Sequence, residues 1–153
     1  MEMREEVELK KYLYRLFDKD GVAVNFTLKT SHFGQRLDEV SVEESLRHFV
    51  NFISRKVYRK AFDRGKKRVS FLYSIERGSL GLLHVHGFLP FPEKKYINWF
   101  DFSVSIRTCW RKSLWGNKRI KNEFTYDRRT WINYCLKRRT KTDGVLNGVG
   151  WYC

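Results

Sequence analysis

Leu82-Leu83-His84-Val85-His86-Gly87-Phe88-Leu89 is an apolar run broken by two imidazoles two residues apart, with Gly81 before it and Pro90 and Pro92 after it. A short apolar run between such breakers reads as a β-strand. Side chains alternate faces along a strand, so His84 and His86 point the same way, one step apart. Upstream, Val69 to Glu76 is a second apolar strand, joined to the first through Arg77-Gly78-Ser79-Leu80-Gly81 as an antiparallel hairpin. Glu76 ends that strand and places a carboxylate eight residues before His84.

Working outward, Arg4 to Phe17 carries Leu9, Leu13, Leu16 and Phe17 at helical spacing, and Asp18-Lys19-Asp20-Gly21 breaks it. Val22 to Lys29 alternates as a half-buried strand. Ser41 to Phe62 is the clearest helix, with Ser41 and Glu44 as a capping box and an apolar face from Val42 through Ala61. Further helices are expected over Asp101–Leu114 and Arg128–Arg139, with a basic strand at Lys118–Tyr126 between them. The expectation is one domain over residues 1–153, with an N-terminal helix at 4–17 and a short Gly-rich tail at 140–153 that carries no clear element.

Without the terminal helices the order is βαββαβ, the split βαβ of ferredoxin-like α+β domains: an antiparallel sheet with its third strand between the first and second. Parity puts Val22/Val24/Phe26/Leu28, Val69/Phe71/Tyr73/Ile75 and Leu83/Val85/Gly87 under the helices. Asn25/Thr27/Lys29, Ser70/Ser74/Glu76 and His84/His86 then share the opposite face, which is expected to be open and to hold the active site. Three strands agree on this independently.

A formal net charge of +14 and a pI near 9.9 make a polyanion the expected partner. The chain has no stretch of about 18 apolar residues to span a bilayer, and Met1-Glu2-Met3-Arg4-Glu5-Glu6 is no signal peptide. Cys109, Cys135 and Cys153 are odd in number and lack finger spacing, as in a reducing, intracellular setting. Charge alone fits an RNA-binding protein equally well.

Two imidazoles and a carboxylate on one face could hold a divalent ion with positions left for substrate, and Mg²⁺ or Mn²⁺ suits a phosphate task. Tyr134 and Lys137 lie three apart on the last helix and so share a flank. A phenol with a pKa near 10 needs a cation nearby to attack phosphorus. Expected DNA contacts are Asn25, Thr27 and Lys29 on the sheet, then Lys66, Lys67 and Arg68, Lys118, Arg119 and Lys121, and Arg138 and Arg139. Cations interleaved with aromatics suit a single strand. Trp99, Trp110, Trp115 and Trp131 are expected to pack rather than stack on bases, and His32 and His48 carry no role.

These residues resemble the HUH endonucleases, specifically the single-tyrosine initiators of rolling-circle replication. His84-Val85-His86 is similar to the family's His-hydrophobic-His motif, Tyr134-Cys135-Leu136-Lys137 to its Tyr-x-x-Lys motif, and Phe26-Thr27-Leu28 to its first motif. The resemblance spans about Val22 to Lys141 and puts the acidic third ligand on Glu76. It implies a metal-dependent nick in single-stranded origin DNA displayed in a hairpin, Tyr134 joined to the 5′ phosphate, a free 3′ hydroxyl as primer, and later rejoining. A host helicase or polymerase is an implied partner. The compartment would be the bacterial cytoplasm or, for a eukaryotic virus, the nucleus. No Gly-x-x-x-x-Gly-Lys-Ser/Thr loop is present, so the expectation is a stand-alone initiator or an excised nuclease domain, monomeric in isolation.

Three other readings remain. An insertion-sequence type single-strand transposase shares the fold and histidine pair, but Lys137 argues against it. A ferredoxin-like RNA-binding module would need aromatic pairs on the open face, where parity leaves only Phe88. A metal-free RNA-processing nuclease would use histidine as acid and base.

Overall fold

The computed structural model of the chain describes residues 2–28, 31–32, 35–77, 82–92, 94–96, 98–125, 127–136 and 148–153. The element order is α1 (Glu2–Leu16), β1 (Gly21–Leu28), β2 (Ser31–His32), β3 (Gln35–Arg36), α2 (Glu39–Tyr58), α3 (Lys60–Asp63), β4 (Phe71–Arg77), β5 (Leu83–Pro90), α4 (Trp99–Lys112), β6 (Ile120–Thr125), α5 (Arg128–Leu136) and β7 (Gly148–Tyr152). The main sheet is antiparallel with strand order β6-β1-β5-β4-β7, and β2 and β3 form a separate two-stranded ribbon. The fold is α+β. Its third long strand, β5, lies between the first, β1, and the second, β4, as the ferredoxin-like order requires.

Side-chain alternation explains the layers. Val22, Val24, Phe26, Leu28, Phe71, Ile75, Leu83 and Val85 are buried against Leu46, Phe49, Val50 and Ile53 of α2 and Phe102, Ile106 and Trp110 of α4. Phe26 stacks on Trp110 with centroids 4.1 Å apart and planes 6° from parallel, and Phe49 meets both rings edge-on. Gly87 lies under this layer because a Cβ there would run into the Phe71 ring. Removing so large a buried ring costs about 3–5 kcal/mol. Trp110→Ala should therefore lower the urea midpoint sharply, and an unchanged midpoint would show that α4 does not close the core.

The expectation of helices on one face only is corrected. Leu72 and Phe88 point to the histidine-bearing face, where Leu13 of α1, Phe17 just after that helix, and Ile132 and Cys135 of α5 bury them in a second cluster. A sheet face carrying a Leu and a Phe must cover them, and the terminal helices do so at one end.

Helix limits shift for reasons visible in their caps. Asp38, not Ser41, caps α2, its side chain accepting from the Ser41 backbone N–H at 2.8 Å. That helix stops at Tyr58, short of Phe62, because Arg59 adopts φ 47°. Asn98 accepts from Asp101 N–H at 3.0 Å and starts α4 two residues early. Asp127 accepts from Thr130 N–H at 3.1 Å ahead of α5. The tail contains β7, which pairs antiparallel with β4. Among the described residues no helix is long and apolar enough to cross a membrane.

Candidate active site

The central strand sets the register of the site. His86 lies opposite Asn25 on β1 and Ser74 on β4, and His84 lies opposite Thr27 and Glu76. Glu76 thus faces His84 directly and reaches His86 on the diagonal, a spacing long side chains can bridge. Its Oε2 is 3.4 Å from His86 Nε2, and both side chains are mostly buried. Thr27 Oγ1 lies 3.3 Å from His84 Nδ1 and fixes that ring from the other side. The imidazole planes are 22° apart with centroids at 6.3 Å.

Helix α5 brings the phenol to the same place. Ile132 and Cys135 are buried in the second cluster, and Cys135 Sγ lies 3.9 Å from the His86 carbonyl oxygen. This docking sets the Tyr134 ring edge-on to His86, with centroids 5.1 Å apart, and against Trp131 at 5.7 Å. Four of the expected site residues, Glu76, His84, His86 and Tyr134, therefore meet on one patch of sheet.

The electrostatics favour neutral groups. Burial, with His84 adding to it, pushes the His86 pKa down to about 4. A carboxylate at 3.4 Å favours imidazolium on its own, but desolvation outweighs it here, so His86 is neutral at pH 7 with a lone pair available. Burial also raises the Tyr134 pKa, with Cys135 adding to it, so the group rests as a phenol. Unfolded histidine titrates near 6.5, so between that pH and about 4 the unfolded chain binds more protons than the folded one. Stability should then fall as pH drops through this window, by at most about 1.4 kcal/mol per pH unit from this group. Urea midpoints in chelator at pH 7, 6 and 5 test this. His86→Gln should flatten the dependence, and an equal slope in the variant would assign it elsewhere.

As to a metal, among the described residues no three histidine, cysteine or carboxylate donors converge closely enough to chelate an ion as they stand. The set does fit one in kind: two imidazoles and a carboxylate on one face, with the buried Asn25 Oδ1, beside His86, lacking a hydrogen-bond partner.

The expected DNA contacts divide. Asn25 and Thr27 are on the site face, and Lys121 follows Asn25 across to the edge strand. Thr27 is engaged with His84, so orienting that ring is what its geometry provides. Lys118 and Arg119 are exposed just before β6. Lys66, Lys67 and Arg68 precede β4 at the far end of the sheet, where Arg68 donates to Asn51 Oδ1 at 2.9 Å and lies over the Tyr152 ring at 5.7 Å. They are not brought to the histidines. Lys29, Lys137, Arg138 and Arg139 lie outside the described residues. Phe88, the aromatic that parity places on this face, is fully buried and offers no stacking face. Of the tryptophans, Trp110 is buried as expected, whereas Trp99 is exposed.

Comparison with protein-family models, with curated proteins and with solved structures finds no match to this chain.

Proposed function

We propose that this chain is a divalent-metal-dependent endonuclease that nicks single-stranded DNA by transesterification onto Tyr134, and that it serves as an initiator of rolling-circle replication. One observation carries the proposal: the Tyr134 ring lies 5.1 Å from His86, which is 3.4 Å from the Glu76 carboxylate. A phenol, a neutral imidazole and a carboxylate set side by side on a rigid sheet are what attack on a phosphodiester requires.

In this reading Tyr134 Oη attacks phosphorus and the bond to the 3′ oxygen breaks. The phenol proton passes to a neighbouring base, and the departing oxygen takes up a proton to become the 3′ hydroxyl. The product is a 5′-phosphotyrosine, and reversal with another 3′ hydroxyl rejoins strands. Glu76, His84 and His86 would hold Mg²⁺ or Mn²⁺, which supplies positive charge at the scissile phosphate. Thr27 keeps His84 in place, and α5 keeps the phenol over His86. Such an enzyme would act on a hairpin-displayed origin beside a host helicase or polymerase, in a bacterial cytoplasm or a eukaryotic nucleus.

The test is to mix the protein with pooled single-stranded oligonucleotides and Mn²⁺ and look for an adduct that survives a denaturing gel. Its absence under all sequences and metals would overturn the proposal. Adduct formation undiminished by chelator would select a metal-free variant in which His86 takes the phenol proton directly. Lys137 is assigned the charge on the leaving oxygen by its spacing from Tyr134. Lys137→Ala should slow nicking by roughly ten- to ten-thousand-fold without ending it. An unchanged rate would remove Lys137 from the mechanism.

A further inference from the structure

Among the described residues, Arg59 (φ 47°) and Lys94 (φ 69°) are the non-glycine residues with positive φ. Both line one cleft of about 400 Å³, between the end of α2 and the segment before α4, together with Lys56 and Lys95. L side chains adopt this backbone region rarely, which singles the cleft out as a candidate site. No carboxylate is among the described residues lining the cleft, and none of these four cations is in an ion pair with a described residue.

The cleft does not end as a pocket. A second of about 380 Å³ shares Tyr58, Lys94 and Lys95 with it and adds Lys67, Lys19 and Asp18. A third of about 590 Å³ shares Lys67 with the second and adds Lys66, Arg68 and Arg55, the last paired at 3.1 Å with Asp63, which also lines it. Three contiguous clefts in which cations outnumber the carboxylates Asp18 and Asp63 suit a polymeric anion rather than a single nucleotide. The aromatic rings here are engaged: Tyr58 has Lys67 Nζ at 5.8 Å and Lys95 Nζ at 6.0 Å from its centroid. Tyr96 donates to Ser105 Oγ at 2.9 Å and packs on Phe102 at 5.2 Å. The surface therefore offers charge rather than a platform for unpaired bases, and paired DNA presents phosphates without asking for stacking.

We infer that this system of clefts is a second nucleic-acid surface, a track for the sugar–phosphate backbone of duplex DNA. It starts on the helix-bearing side of the sheet and runs around the end where β5 finishes. Pro90 lies six residue steps along β5 from His84, about 20 Å of strand, so the track is distinct from the face on which Tyr134 sits. The inference rests on the reading of the chain as a DNA-handling enzyme and gives that enzyme a grip on duplex flanking its single-stranded target.

The experiment is a fluorescence-anisotropy titration of the full chain with a labelled 20-base-pair duplex of arbitrary sequence, and with one of its strands alone, over a series of salt concentrations. Lys94→Glu with Lys95→Glu should weaken duplex affinity at least about tenfold and reduce the slope of log affinity against log salt by about two. Lys11→Glu with Arg15→Glu on α1, an equal charge change, should cost less than about threefold. Adduct formation by the cleft variant on single strands should stay within about threefold of wild type. Lys56→Glu, on an exposed helix position, gives the same reading should the double variant melt early. Unchanged duplex affinity, an equal loss in the α1 control, or a loss confined to the single strand would each overturn the track. A wild-type protein that forms no adduct yet binds duplex through Lys94 and Lys95 would leave the track standing and remove the nuclease.

Discussion

Tyr134→Phe should form no covalent adduct with DNA and should lose nicking by at least about 10⁴-fold, the scale on which nucleophile removal acts. The substitution deletes one oxygen and keeps the ring that packs against His86 and Trp131, so the fold and DNA affinity should be unchanged. Other tyrosines are poorly placed to substitute. Tyr152 stacks on Tyr73 beneath the helix-bearing side of the sheet, and Tyr14 donates its hydroxyl to Asn133 Oδ1 at 2.7 Å. Mass-spectrometric mapping of the adduct to a residue other than Tyr134 would overturn the assignment even if the enzyme proves active.

His86→Ala should be as severe for cleavage by a different route. His86 contacts both the carboxylate and the phenol ring, so its loss would remove a proposed ligand and a packing partner of the proposed nucleophile together. His84→Ala should also reduce cleavage to background, whereas Glu76→Ala should be milder because water can replace a carboxylate oxygen. Affinity for single strands should stay within about threefold in all three, since it comes from phosphate contacts. Wild-type nicking by either histidine variant in Mn²⁺ would show that the imidazoles do not serve the reaction.

The sheet was legible because alternation is a strict period of two. Once His84 and His86 were placed on one face, Thr27, Asn25 and Glu76 followed, and the register sets them opposite one another. The covering of that face was missed, although its signal was present: Leu72 is in phase with Ser74 and Glu76, and Phe88 with His86. Two large apolar side chains on a face read as open required a lid, and the periodic apolar residues of α1 and α5 were its only candidates. Strand β7 gave no comparable signal, since Gly148-Val149-Gly150-Trp151-Tyr152 has too few apolar positions to show a period. Gly150 is small there because a Cβ would meet the Tyr73 side chain, a reason no local pattern contains. The end of α2 was missed because Arg59 carries its turn without a glycine to announce it.

The second cluster bears on how much of the chain the proposed activity would require. Leu13 and Phe17 are buried with Ile132 and Cys135, and Tyr14 is hydrogen-bonded to Asn133, so α1 is the shelf on which α5 rests. A fragment trimmed to begin at β1 would keep the imidazoles, the carboxylate and the larger core. It would lose the support that holds Tyr134 beside His86. The 15 residues of α1 would thereby set the alignment of the proposed nucleophile without supplying a reacting atom, and the smallest unit expected to be active is larger than the ferredoxin-like core.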